Sequence, residues 1–131
     1  MKKMYVWLLM SCFAAIAGAY GDDDRTLFDQ MAKYLAAGDA EALSDYFSST
    51  VEFDLLSDEG MYSKAQATLV LKWFFEKYPP KSFAFKHSSD KQTVKYAIGI
   101  LHTQAGEILR VTVFIKEDNG IKIQQLRIEK N

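Results

Sequence analysis

Two histidines, a tyrosine and two arginines are the side chains of this 131-residue chain whose types and positions could do chemistry. His87 continues the alternation of Phe83 and Phe85, so a strand through this stretch carries all three on one face. Its imidazole titrates near neutrality and suits proton transfer. A general base also needs a partner and a substrate within reach, and spacing alone supplies neither. Tyr96 alternates with Val94 and Ile98, and its hydroxyl could orient a ligand. His102 follows Ile100 beside Thr103, where solvent or a local bond is the ordinary fate of an imidazole. Arg110 and Arg127 each stand between apolar residues of an alternating run. Each offers a planar donor fork, for an anionic ligand or for a carboxylate on a neighbouring strand.

Other chemistries lack their residues. No HExxH, paired-histidine or CxxC spacing accompanies the histidines, so no metal is expected. There is no glycine-rich phosphate loop, no GxSxG elbow and no carboxylate pair on a helix, so neither a cofactor nor a catalytic residue is assigned. The single cysteine is Cys12, which leaves the chain beyond residue 19 without a thiol or a disulfide. With Lys2 and Lys3 set aside, the rest of the 16 Lys and Arg are outnumbered by 17 Asp and Glu. That balance argues against nucleic acid as a partner.

Aromatic side chains carry more weight than any ionisable one. Trp73, Phe74, Phe75 and Tyr78 ring one helix, and Phe83 and Phe85 follow. Phe74 and Tyr78 are expected in a hollow that His87, Tyr96 and Arg110 would edge with polar groups, a setting for a small apolar or amphipathic ligand. Trp73 is offset from the Val70/Phe74 stripe and follows Lys72, which makes it the candidate anchor of an interface, such as that of a homodimer.

The elements that must position these residues begin after an export signal. Lys2 and Lys3 precede an apolar run from Met4 to Ala19 that closes on Ala17-Gly18-Ala19, the small-residue pattern of a cleavage site. Residues 1–19 therefore read as a signal peptide and residues 20–131 as one domain, periplasmic or secreted. The minor alternatives are a lipid anchor at Cys12, after Leu9-Met10-Ser11, and a retained anchor. The run is short for a bilayer span, and no transmembrane segment is expected once the signal is cleaved.

Leu27, Phe28, Met31, Tyr34 and Leu35 recur at helical spacing, and Ala36-Ala37-Gly38 ends that helix. A short helix is expected from Asp39, with Ala42, Leu43, Tyr46 and Phe47 on one face. Val51, Phe53 and Leu55 alternate as a half-buried strand, which turns through Ser57-Asp58-Glu59-Gly60 towards Met61 and Tyr62. Ser63 and Gln66 form a capping box that opens the most convincing helix, with Ala67, Val70, Leu71, Phe74, Phe75 and Tyr78 as its stripe. Pro79-Pro80 stops it. Strands and short turns follow, read as an antiparallel meander. Gly99, inside a long strand, predicts a bend or bulge. The apolar phase of the last strand passes from Ile121 and Ile123 to Leu126 and Ile128, which predicts a bulge near Gln124-Gln125.

This order of elements resembles the NTF2-like superfamily, an α+β cone. The two irregularities favour a strongly curved antiparallel sheet wrapped around the long helix, with two further N-terminal helices, and the resemblance implies the same cone. More specifically, Gly38-Asp39-Ala40-Glu41-Ala42-Leu43 with Tyr46-Phe47, Tyr62-Ser63-Lys64-Ala65-Gln66-Ala67 running to Phe74-Phe75, Phe85-Lys86-His87, Tyr96-Ala97-Ile98-Gly99 and Ile123 to Glu129 resemble DUF4783, a family of small exported Bacteroidetes proteins of unknown function. The wider superfamily includes enzymes that place Asp, His and Tyr inside the cone, and it includes proteins that do no chemistry, so the fold implies a pocket more readily than a reaction. The expectation is an exported, non-catalytic domain that binds a small hydrophobic or amphipathic ligand or a protein partner. The alternatives are a structural homodimer or envelope-associated subunit with a filled cone, and a pocket enzyme using His87.

Overall fold

The computed structural model describes residues 22–91, 94–117 and 119–131. The expected signal and the Cys12 alternative lie outside them. The chain divides into two compact units at Gln30 and Met31, and the described part of the first is the opening of helix α1, Asp22–Ala37. In the second unit α1 ends, and α2 (Ala40–Ser44), β1 (Phe47–Leu55), β2 (Asp58–Ser63), α3 (Lys64–Lys77), β3 (Pro80–Lys91), β4 (Val94–Thr103), β5 (Ile108–Glu117) and β6 (Ile121–Lys130) follow.

Local chemistry sets most of these boundaries. Gly38 takes a left-handed φ of 67°, and its amide bonds back to Leu35, closing α1 where a side chain would be strained. The Asp39 carboxylate accepts from the amide of Ala42 and caps α2. That helix is only one turn long. Tyr46 and Phe47 are not on it, because the chain turns extended at Phe47 and buries that ring edge-on against Phe53, 5.7 Å between centroids. The Ser63 hydroxyl accepts from the Gln66 amide at 3.2 Å while the Gln66 side chain reaches back to Ser63, so the capping box forms as read. Tyr78 closes α3 by bonding Phe74, and the two prolines then release the chain into β3.

The six strands form one open sheet in the order β2-β1-β6-β5-β4-β3. Its edges are β2 and β3. The sheet is mixed, because β1 pairs with β6 in parallel while every other pair is antiparallel. Strand directions follow from connectivity. The α3 connection carries the chain from one edge to the other, leaving β3 in the sense of β2, and three hairpin reversals then turn β6 to the sense of β1. The expected strongly curved antiparallel sheet wrapped around the helix is therefore corrected: the sheet is neither purely antiparallel nor closed nor strongly curled. The backbone of α3 lies closest to α2, β1 and β2, at one end of the sheet.

One sheet face and the helices enclose the core. Val51, Phe53 and Leu55 of β1 meet it, as do Leu71, Phe74 and Phe75 of α3, Leu109, Val111, Val113 and Ile115 of β5, and Leu126 and Ile128 of β6. Each large side chain buried this way contributes about 1.5–3 kcal/mol. Two of the sheet's register shifts bear on the residues singled out from the sequence. On β6 the register passes from Phe114↔Gln125 to Ile115↔Ile123, so Gln124 is the extra residue and both Ile123 and Leu126 are buried, as the phase slip predicts. On β3 the register passes from Phe85↔Gly99 to His87↔Ile98. Phe83 and Phe85 therefore share a face with buried Leu101 and Gly99, whereas His87 turns to the opposite one.

Candidate functional site

A groove runs beside the C-terminal half of α3. Leu55, Leu56, Ser57 and Asp58 at the tip of the β1–β2 hairpin face Val70, Trp73, Phe74, Lys77 and Tyr78 across a cavity of about 180 Å³. A second depression of about 370 Å³ adjoins it, sharing Leu56, Ser57 and Tyr78 and reaching Glu129 and Lys130 at the end of β6. Helical spacing gathers the aromatic wall: Phe74 and Tyr78 lie one turn apart with centroids 4.9 Å from each other, and the Lys77 ammonium sits 5.6 Å from the Tyr78 ring centre. Phe74 is buried, whereas Trp73 is 61% exposed. The opposite wall depends on a tight turn. Leu55 pairs with Asp58, which leaves Leu56 and Ser57 as a two-residue hairpin loop, not the later turn expected from Ser57 to Gly60. Leu56 takes a φ of 61°, in the left-handed region that costs a side-chain-bearing residue roughly 1–2 kcal/mol. Its amide is held by the Ile128 carbonyl at 2.7 Å.

The site residues expected from sequence fall into two places. Phe74, Tyr78 and Trp73 gather at the groove. His87, Tyr96 and Arg110 lie instead on the sheet face opposite the core, which corrects their expected place in a hollow lined by those rings. The bulge after Phe85 puts His87 there, exposed and 6.0 Å from Tyr96 between ring centroids. The alternation of Tyr96, Ile98, Ile100 and His102 holds, but the face of β4 that enters the core carries Ala97, Gly99, Leu101 and Thr103. Tyr96 is half-buried between His87 and Phe114. Arg110 donates from Nε and Nη2 to Glu129 Oε1, the residue directly across on β6. Arg127 pairs with Asp54 at 3.4 Å, and His102 is exposed in register with Ile108.

Among the described residues no group of three His, Cys, Asp or Glu side chains could hold a metal ion. No described helix is long and apolar enough to cross a membrane. Leu56, Ser57 and Lys77 are groove residues that sequence reasoning did not single out, and no pattern in the chain announces a left-handed leucine.

A family model described as DUF4783, domain of unknown function, matches residues 28–129. No curated protein matches the sequence. Among solved structures, a DUF4783 family protein from Bacteroides ovatus is 27% identical, with a TM-score of 0.73 over 78% of this chain and 93% of that one. Another from Bacteroides uniformis is 25% identical, with a TM-score of 0.74 over 79% and 95%. At 12% identity, an NTF-2-like protein of unknown function from Silicibacter pomeroyi shares the fold alone, with a TM-score of 0.59 over 82% and 92%.

Proposed function

The chain belongs to the DUF4783 family, within the NTF2-like superfamily, and on that premise we propose that it is an exported, non-catalytic binding domain. It takes a small apolar or amphipathic ligand, or an apolar segment of a protein partner, in the groove between the β1–β2 loop and α3. The observation that carries this reading is Trp73, left 61% exposed at the rim of a groove floored by Phe74 and walled by Leu55, Leu56 and Tyr78. A large aromatic ring beside an apolar recess is the usual anchor of recognition. Lys77 and Asp58 add one charge of each sign to the lining, suited to the polar end of an amphipath. Export rests on residues 1–19, whose charged start, apolar run and Ala17-Gly18-Ala19 ending suit signal cleavage; processing at Cys12 would instead leave a lipid anchor.

The test is a titration with 1-anilinonaphthalene-8-sulfonate, an amphipathic fluorescent probe. Saturable uptake that is lost in a folded Trp73→Ala variant supports the reading. Uptake unchanged in that variant removes the groove from consideration.

A second reading, a structural homodimer, draws on the opposite face of the sheet. Tyr96, Ile98, Ile100 and Phe114 are only half-buried there, and Ile108 is exposed beside them. Sedimentation of the wild type against Ile98→Glu separates the readings, because a dimer through this face dissociates while groove binding is untouched.

A further inference from the structure

We infer that the end of β1 remote from the groove holds a second site, built for a phosphate or sulfate group. The parallel ladder between β1 and β6 breaks there. Register passes from Phe47↔Ile123 directly to Glu52↔Gln125, so four residues of β1 stand opposite the single residue Gln124. A regular ladder cannot be drawn with four residues against one, and the strands open around a cavity of about 280 Å³ lined by Ser48, Ser49, Thr50, Lys122 and Gln124. That is several times the ~30 Å³ share of a water molecule in the liquid, enough for an oxyanion and part of a group attached to it.

The lining selects the sign of the ligand. Three hydroxyl-bearing residues and a lysine line it with no carboxylate among them, and Glu52, the next acidic residue on β1, lies outside the lining. Gln124 Nε2 donates to Ser48 Oγ at 2.7 Å, which leaves the Ser48 proton to be given to a ligand. An independent feature points the same way. Lys122 lies directly across from Lys116 on β5, and like charges in register repel. Arg110 and Arg127 are held by Glu129 and Asp54, whereas among the described residues neither of these lysines is seen in an ion pair. An anion in the pocket offsets that repulsion and takes charge-assisted bonds from Lys122 and the hydroxyls.

Calorimetric titration of the full chain at constant ionic strength tests the site, with inorganic phosphate, sulfate, glycerol phosphate and neutral glucose as probes. Saturable uptake of the anions and none of glucose is expected. Lys122→Gln should weaken uptake roughly tenfold or more, and Lys122→Arg should recover most of it. Tighter binding of glycerol phosphate than of inorganic phosphate identifies an esterified group as the ligand, and equal binding identifies the free ion. Absence of saturable anion uptake, preference for glucose, or a folded Lys122→Gln variant that binds as wild type would overturn the proposal.

Discussion

Phe83 lays its ring across Gly99. A Cβ added at Gly99 would collide with the Phe83 ring at Cζ and lie 2.7 Å from the carbonyl oxygen of Ala84. The glycine is thus required by close approach. It also lies beside a bulge, since an extra residue of β3 falls immediately after Phe85, the register partner of Gly99. Gly99→Ala should therefore destabilise the fold by about 1–3 kcal/mol, the cost of overpacking a filled core. Urea unfolding measures it, and Phe83→Leu in the same chain should return part of the loss. A Gly99→Ala midpoint equal to that of the wild type would show that the ring gives way freely.

Arg110 and Glu129 form a cross-strand pair whose side chains are 45% and 39% exposed. Solvent screens such a pair, so its coupling should stay below about 1 kcal/mol in a double-mutant cycle of Arg110→Ala and Glu129→Ala. Added salt should shrink it further. A coupling of several kcal/mol would mean that the pair organises the outer face far more than its exposure allows.

Much of this architecture is legible in the chain, and the misreadings have physical causes. Ser63 with Gln66 and the Pro79-Pro80 stop mark both ends of α3 because capping and proline chemistry are local. The β6 bulge is legible because buried Ile123 and Leu126 stand three apart, which an even alternation cannot accommodate. Nothing similar marks the β3 bulge. Phe83, Phe85 and His87 alternate without a break, so the extra residue shows only when β3 is set against β4. β4 misleads for another reason: its bulkier set, Tyr96, Ile98 and Ile100, faces outward, while Gly99 and Ala97 face the core to leave room for neighbours such as Phe83. The parallel pairing of β1 with β6 follows from counting reversals after the α3 connection, a step that local periodicity does not contain.

Tyr46 ties part of the stability of the fold to alkaline pH. Burial first, then the neighbouring Tyr34 and Asp45, raise its phenol above the ordinary tyrosine value. Between the unfolded and folded values the folded chain holds the proton that the unfolded chain releases, so stability is complete below about pH 10 and falls as pH rises through the folded value. Tyr46→Phe should flatten that decline in thermal melts taken at increasing alkaline pH. An unchanged slope would assign the loss to other groups.

Leu56 joins strain to the groove. Its φ of 61° lies at the first position of a two-residue hairpin loop, where glycine is the ordinary occupant, yet a leucine stands there and lines both depressions beside α3. If the side chain serves binding, Leu56→Gly relieves the backbone and strips one wall of the groove together. The variant should be as stable as the wild type or more stable by up to about 1 kcal/mol, after the entropy cost of glycine in the unfolded chain is offset against the relieved strain. Probe uptake should fall at the same time, in the sense already expected for Trp73→Ala. Leu56→Asn, which also tolerates a left-handed backbone but is polar, should likewise keep stability and lose uptake. Two stable variants that still bind the probe as the wild type does would make the leucine an accident of the turn and leave Trp73 without its opposing wall.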